Sequence, residues 1–330
     1  MDPTLYTSLV TRRGFDYTYY HSRASGDRPT LLFIHGFPST SEGWRKQIEY
    51  FQPLGYGILA PDMLGSGRSS RPLELEDYKL NLVASDMVEI LGAEGLEEVV
   101  GIGHDWGCVV LSRLSILYPE RFLGFVWLGS SFMDPVTEHF DLDSLMRTTR
   151  ESLGHESYGF WKFFQRRDAA DVVQDHVDSF LQLMYPKDPS YWLVYMALPG
   201  KTDQWIEDDM QPGYPSYMSE ADIANARRSV LENGGIRASL SWYISQLENT
   251  DLEDNMALPK ERWYIQQPSF YAIGLRDAIC PSQRGKTTME KYARAEVRVA
   301  EFETGHWIHL EAPSLLNREL EAWLTELAGT

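Results

Sequence analysis

The run Gly103-His104-Asp105-Trp106-Gly107 follows an apolar stretch, Val99-Val100-Gly101-Ile102, and leads into helix-like sequence. Glycines two positions either side of a central residue allow a sharp strand-to-helix turn, which thrusts that residue out of the sheet. Serine is the usual occupant; here it is Asp105. An aspartate is ionised at neutral pH and needs no base before it attacks. It can displace a leaving group at an sp³ carbon and form an alkyl ester with the chain. Water must then attack the carboxyl carbon of Asp105 itself. Substitution at alkyl carbon is the chemistry implied, with epoxides and alkyl halides as the leading substrates.

That second step needs an oxyanion hole, a base and a group to orient the base. His35-Gly36-Phe37-Pro38 closes an apolar run. A loop in that position supplies one backbone N–H, and the residue after the nucleophile supplies the other. The donors are thus the amides of Phe37 and Trp106. Losing one such donor typically costs about 10²–10³ in rate, so the loop geometry matters more than the Phe37 side chain. Pro38 is expected to fix the loop, a cis peptide being one way to do so.

Near the C-terminus, Glu303-Thr304-Gly305-His306-Trp307 follows a strand-like run and sets His306 on a loop at the sheet edge. His309 competes, but the position directly after the last strand favours His306 as the base. Asp277, just past the preceding strand in Ala272-Ile273-Gly274-Leu275-Arg276-Asp277, is the expected orienting acid. The order Asp105, Asp277, His306 matches the nucleophile–acid–histidine order of α/β-hydrolases.

These residues need a scaffold that brings three distant loops together. Short apolar runs at 30–36, 56–61, 98–103 and 124–130 alternate with helix-like segments at 41–52, 79–91 and 109–118. This alternation predicts βα units around a mainly parallel sheet flanked by helices. It stops after Ser131 and returns at 269–274 and 297–303, ending in a helix over 313–327. The intervening stretch is rich in aromatic residues and turn signals, without period-two patterning; 171–185 and 220–233 look helical. The expected architecture is an α/β core over 1–133 and 250–330, interrupted by a helical cap over 134–249. Such a cap would wall a pocket and exclude water.

The 330 residues carry 48 acidic and 30 basic side chains, a net charge of −18. That balance argues against nucleic acid and anionic membrane as partners. Two cysteines, Cys108 and Cys280, make no disulfide framework and no metal-ligand spacing. No apolar run reaches the roughly 18 residues of a membrane span, and no signal-peptide pattern opens the chain. A soluble cytoplasmic protein is the expectation. Gly65-Ser66-Gly67-Arg68 lacks the lysine of a phosphate loop and reads as a turn. The histidines form no metal cluster in sequence, and the chemistry needs no metal or organic cofactor.

With HGFP at 35–38, GHDWG at 103–107, LRDAICP at 275–281 and GHW at 305–307, the chain resembles the α/β-hydrolase-fold epoxide hydrolases, particularly the soluble fungal enzymes. The likeness extends into the cap at 160–164 and 235–243. It implies an α/β-hydrolase fold and a reaction that turns a hydrophobic epoxide into a vicinal diol. It also implies a detoxification or secondary-metabolite role, and homodimers are common in such families. In that family two cap tyrosines protonate the epoxide oxygen. Tyr243 matches the second; Phe160 stands where the first is usual, and phenylalanine cannot donate. Tyr158, two residues earlier, would need a rearranged backbone to reach the same site. Phe160, Trp161, Trp242 and Tyr158 are the candidate pocket residues, although the tryptophans would equally serve as packing.

Three other readings compete. Haloalkane dehalogenases also place Asp-Trp at the elbow, but many carry a second halide donor where this chain has Phe37. Many also hold the acid after the sixth strand, where Gly129-Ser130-Ser131 lies. A halide needs no proton to leave, so Tyr243 would lack a purpose. A non-hydrolytic cyclase or isomerase, or a ligand-binding protein on the same fold, gains support only from the missing tyrosine.

Overall fold

The computed structural model describes residues 1–329. Eight strands form one sheet: β1 (Tyr6–Val10), β2 (Asp16–Ser22), β3 (Thr30–Ile34), β4 (Gly57–Pro61), β5 (Val99–His104), β6 (Phe122–Leu128), β7 (Ser269–Gly274) and β8 (Val297–Phe302). Their order is β1-β2-β4-β3-β5-β6-β7-β8. The pairs β1–β2 and β2–β4 are antiparallel, and every later pair is parallel. β3, β4, β5 and β7 are buried along their whole length, as strands covered by helices on both faces must be.

Neighbouring side chains on a strand point to opposite faces, and the core divides accordingly. Leu31 and Phe33 pack on one side, with α1 (Arg45–Phe51) and, further on, α14 (Pro313–Leu327). Leu32 and Ile34 pack on the other, with α2 (Leu80–Ala93), α3 (Trp106–Leu117) and the aromatic residues of the middle segment.

That segment carries helices joined by loops, with no strand between Leu128 and Ser269 among the described residues. It contains α4 (Leu142–Leu153), α5 (Phe160–Phe164), α6 (Ala169–Asp175), α7 (Val177–Met184), a π-helical turn at Trp192–Met196, α8 (Lys201–Glu207), α9 (Glu220–Leu231), α10 (Arg237–Leu247) and α11 (Leu252–Ala257). Two short helices, α12 (Ser282–Tyr292) and α13 (Ile308–Glu311), complete the set. Among the described residues no helix is long and apolar enough to cross a membrane.

Three differences from the sequence expectation have physical causes. The hairpin β1–β2 is missing from the apolar pattern because β1 is an edge strand with mostly open side chains. The predicted helix over 171–185 is two helices, since His176 leaves helical geometry at φ −121°, ψ 40°. α6 buries one stripe, whereas α7 buries every residue except Asp178 and takes a different path to do so. α3 starts at Trp106 rather than 109, because the elbow itself launches the helix.

The loop at 65–68 seats α10. Ser239 Oγ donates to the Gly65 carbonyl at 2.5 Å, and the Trp242 indole donates to the Leu64 carbonyl at 3.0 Å. Nearby, Arg71 reaches the Gly235 carbonyl at 2.6 Å. These bonds fix Tyr243, one residue along α10, above the sheet.

Candidate active site

Asp105 joins β5 to α3 at φ 54°, ψ −122°, a left-handed geometry that a non-glycine residue holds only when its surroundings enforce it. Gly107 permits the turn, since a Cβ there would collide with the Ile34 carbonyl of the neighbouring strand. Gly36 permits the approach of the carboxylate, because a Cβ on it would meet Asp105 Oδ1. The Phe37 amide then donates to that Oδ1 at 2.8 Å, and the Trp106 amide also bonds the carboxylate. The peptide between Phe37 and Pro38 is cis. Burial raises the Asp105 pKa above its ordinary value, while His306 and the two amides pull against it.

His306 follows β8, and Asp277 follows β7 in the adjacent strand. His306 Nδ1 lies 2.6 Å from Asp277 Oδ2, and its Nε2 lies 3.7 Å from Asp105 Oδ2. Asp277 Oδ1 accepts from the Ile279 and Cys280 amides at 2.9 and 3.0 Å. Burial pushes the Asp277 pKa up, but His306 and those hydrogen bonds outweigh it and hold the carboxyl below its usual value. For His306, burial opposes the charge; Asp277 and then Cys280 win, raising the imidazole well above the usual histidine range.

Packing fixes the histidine further. Trp192, on the π-helical turn, lies over its ring with centroids 4.9 Å apart, and His104 meets it at 4.6 Å. His104 Nε2 is 3.0 Å from the His306 carbonyl. Burial, then the charges of His309 and His306, holds the His104 pKa far below normal, so it stays neutral. His309, the competing base, stacks on Trp44 at 4.6 Å and leaves its Nδ1 without a partner. It makes no contact with Asp105 that would serve the chemistry.

Tyr243 stands in an aromatic box. Its ring meets Phe164 at 4.9 Å, Phe37 and Trp106 at 5.1 Å, Trp161 at 5.2 Å and Phe160 at 5.8 Å. Burial and the Asp105 charge push its pKa well above that of a free phenol, against a hydrogen bond with Trp106. Phe160 and Trp161 form walls of this box. Trp242 turns its indole N–H to the Leu64 carbonyl and ties the cap to the core.

Tyr158 goes elsewhere. It precedes α5 at φ 69°, and the groups that act on its hydroxyl are Cys280, Arg284 and Asp277, after burial. It therefore flanks the acid side of the site, while Tyr243 flanks Asp105. A phenol that sequence reading missed, Tyr185, also feels the Asp105 charge, but its hydroxyl bonds Ser39 and its ring stacks on Trp307 at 4.3 Å. Also missed were His104, visible only as the neighbour of Asp105, and the Cys280 thiol, whose signal was its place three residues past Asp277.

The family model described as alpha/beta hydrolase fold matches residues 29–313. The chain is similar to Epoxide hydrolase 4 of Mus musculus, with 33% identity over 328 residues covering 98% of this chain and 81% of that one. It is 26% identical to Bifunctional epoxide hydrolase 2 of Sus scrofa over 92% of this chain and 53% of that protein, so it spans about half that relative's length. Among solved structures, the epoxide hydrolase from an endophytic Streptomyces superposes with a TM-score of 0.78 at 25% identity, covering 98% of this chain and 96% of that one. The chain belongs to the α/β-hydrolase fold family, within its epoxide hydrolase branch.

Proposed function

We propose that the chain hydrolyses hydrophobic epoxides to vicinal diols through an ester on Asp105. The observation that carries this reading is a carboxylate, not a hydroxyl, at the elbow, with one oxygen bonded to the Phe37 amide and the other facing His306 at 3.7 Å. Oδ1 is held by the Phe37 amide, which leaves Oδ2 to attack the epoxide carbon. The C–O bond of the ring breaks, and Tyr243 gives its proton to the departing alkoxide. A positioned acid of this kind contributes about 10²–10⁴ in rate. The raised pKa of Tyr243 keeps that proton in place at neutral pH, and an alkoxide is basic enough to take it.

In the second step His306 takes a proton from water, whose oxygen attacks the Asp105 carboxyl carbon. The amides of Phe37 and Trp106 stabilise the tetrahedral oxyanion. Asp277 holds the Nδ1 proton and steadies the imidazolium that forms. Collapse releases the diol and regenerates the carboxylate. The aromatic box supports an apolar substrate, and residues 134–249 act as the cap over a core of 1–133 and 250–330. A cytoplasmic setting, a homodimer, and a detoxification or secondary-metabolite role belong to this reading by likeness to the family.

Product analysis with a panel of aryl and alkyl epoxides tests it. The expected product is the diol, and Asp105→Ala should abolish it. A rearranged product without added water would favour a cyclase or isomerase. Halide release from a haloalkane without epoxide turnover would favour a dehalogenase.

A further inference from the structure

The Cys280 thiol has no part in that reaction, yet it sits against the groups that run it. The ligand atoms of Asp277, Cys280 and His306 all lie within 4.8 Å of one another. The thiol also hydrogen-bonds with His306, and its sulfur is 3.3 Å from Ser130 Oγ. Carboxylate, thiolate and imidazole together make a borderline-soft donor set, suited to Zn²⁺ and its heavier relative Cd²⁺. We propose that Asp277, Cys280 and His306 Nδ1 form an inhibitory binding site for a thiophilic divalent cation, zinc above all.

Access comes through a cavity that Cys280 lines. Cys280 is partly exposed and lines a cavity of about 140 Å³ with Gly129, Ser130, Tyr158 and Arg284. Gly129 lies between this cavity's lining and the ring: a Cβ on it would lie 3.5 Å from His306 Nδ1. Water from this cavity can fill the fourth position that a tetrahedral zinc requires. The present 2.6 Å between Nδ1 and Oδ2 is shorter than the edge of a zinc tetrahedron. With zinc–ligand bonds of about 2.0–2.3 Å, that edge is roughly 3.3–3.7 Å. The cation therefore parts the pair and replaces the proton they share.

The charges balance. From the imidazolium form, the S–H and Nδ1–H bonds break and both protons leave to solvent, while sulfur, Nδ1 and the Asp277 oxygen bind the metal. A thiolate and a carboxylate neutralise the dication. His306 keeps its Nε2 proton and can no longer take one from water. Binding does not depend on the proposed reaction, whereas the loss of turnover rests on His306 being its base.

Cadmium added to the purified chain should give one thiolate-to-metal charge-transfer absorption per chain. The band should vanish in Cys280→Ser and persist in Cys108→Ala. Calorimetry should show zinc bound by the Cys280→Ser variant more weakly, by at least the roughly 10–100-fold that outer-shell changes cost. Zinc saturation should remove nearly all epoxide turnover of the unaltered chain, and a chelator should restore it. At the same zinc concentration Cys280→Ser should keep its own metal-free rate. No band in the unaltered chain, or equal zinc affinity in both proteins, overturns the site. Zinc bound through Cys280 with turnover undiminished overturns the inhibition and, with it, His306 as the base.

Discussion

Asp105 and His306 face each other with Oδ2 and Nε2 3.7 Å apart, too far for a hydrogen bond and close enough for their charges to interact strongly. The carboxylate favours the imidazolium, as the imidazolium favours the carboxylate. Esterification erases the Asp105 charge, so the His306 pKa must fall at the moment a neutral base is needed. The sign can be read in the resting protein. Replacing Asp105 with Asn should lower the His306 pKa, since a neighbouring negative charge favours the imidazolium. Imidazole NMR titration measures it, and an unchanged pKa would separate the two residues functionally.

Tyr243 sets the alkaline edge of the reaction. Its pKa lies well above that of a free phenol because burial and Asp105 both oppose the phenolate. A group raised in this way holds its proton until the pH passes its shifted value. kcat/KM for epoxide opening should therefore show no alkaline fall below about pH 10, the unperturbed tyrosine value. Tyr243→Phe should lower kcat/KM by about 10²–10⁴ across that range. An alkaline limb near pH 8, or full activity in the variant, would assign the acid to another group.

Phe160 is the position where chemistry was withheld. Its ring lies 5.8 Å from that of Tyr243, edge to face, in the same box. Phe160→Tyr adds a second phenol toward the departing oxygen. It should raise kcat/KM for unactivated alkyl epoxides by about tenfold or more, given what positioned acids contribute. Epoxides activated by aryl substituents should gain less, since they need less help to open. A rate that falls for both classes would mean that Phe160 packs rather than limits.

Much of this was legible in the residues because parallel strands covered on both faces are continuous apolar runs. β3, β4, β5 and β7 announce themselves, and the loop after each of β3, β5 and β7 carries a site residue. The triad candidates followed from order and position alone. The edge hairpin β1–β2 was not legible, since an open strand needs no apolar alternation. Nor were contacts made across the chain: Trp192 reaches His306 from 114 residues away through one π-helical turn. The direction of Tyr158 was hidden for a backbone reason. A positive φ before α5 breaks the helical spacing on which any argument about its face would rest.

The most direct measurement is the intact mass of His306→Gln after incubation with an epoxide. Removing the base blocks water activation but leaves Asp105, its amide donors and Tyr243 in place. An ester on Asp105 predicts a mass gain equal to the whole epoxide, mapped to the peptide that carries Asp105. A folded variant that gains no mass, or gains it on any other residue, would contradict the ester on Asp105 and the two-step reaction built on it.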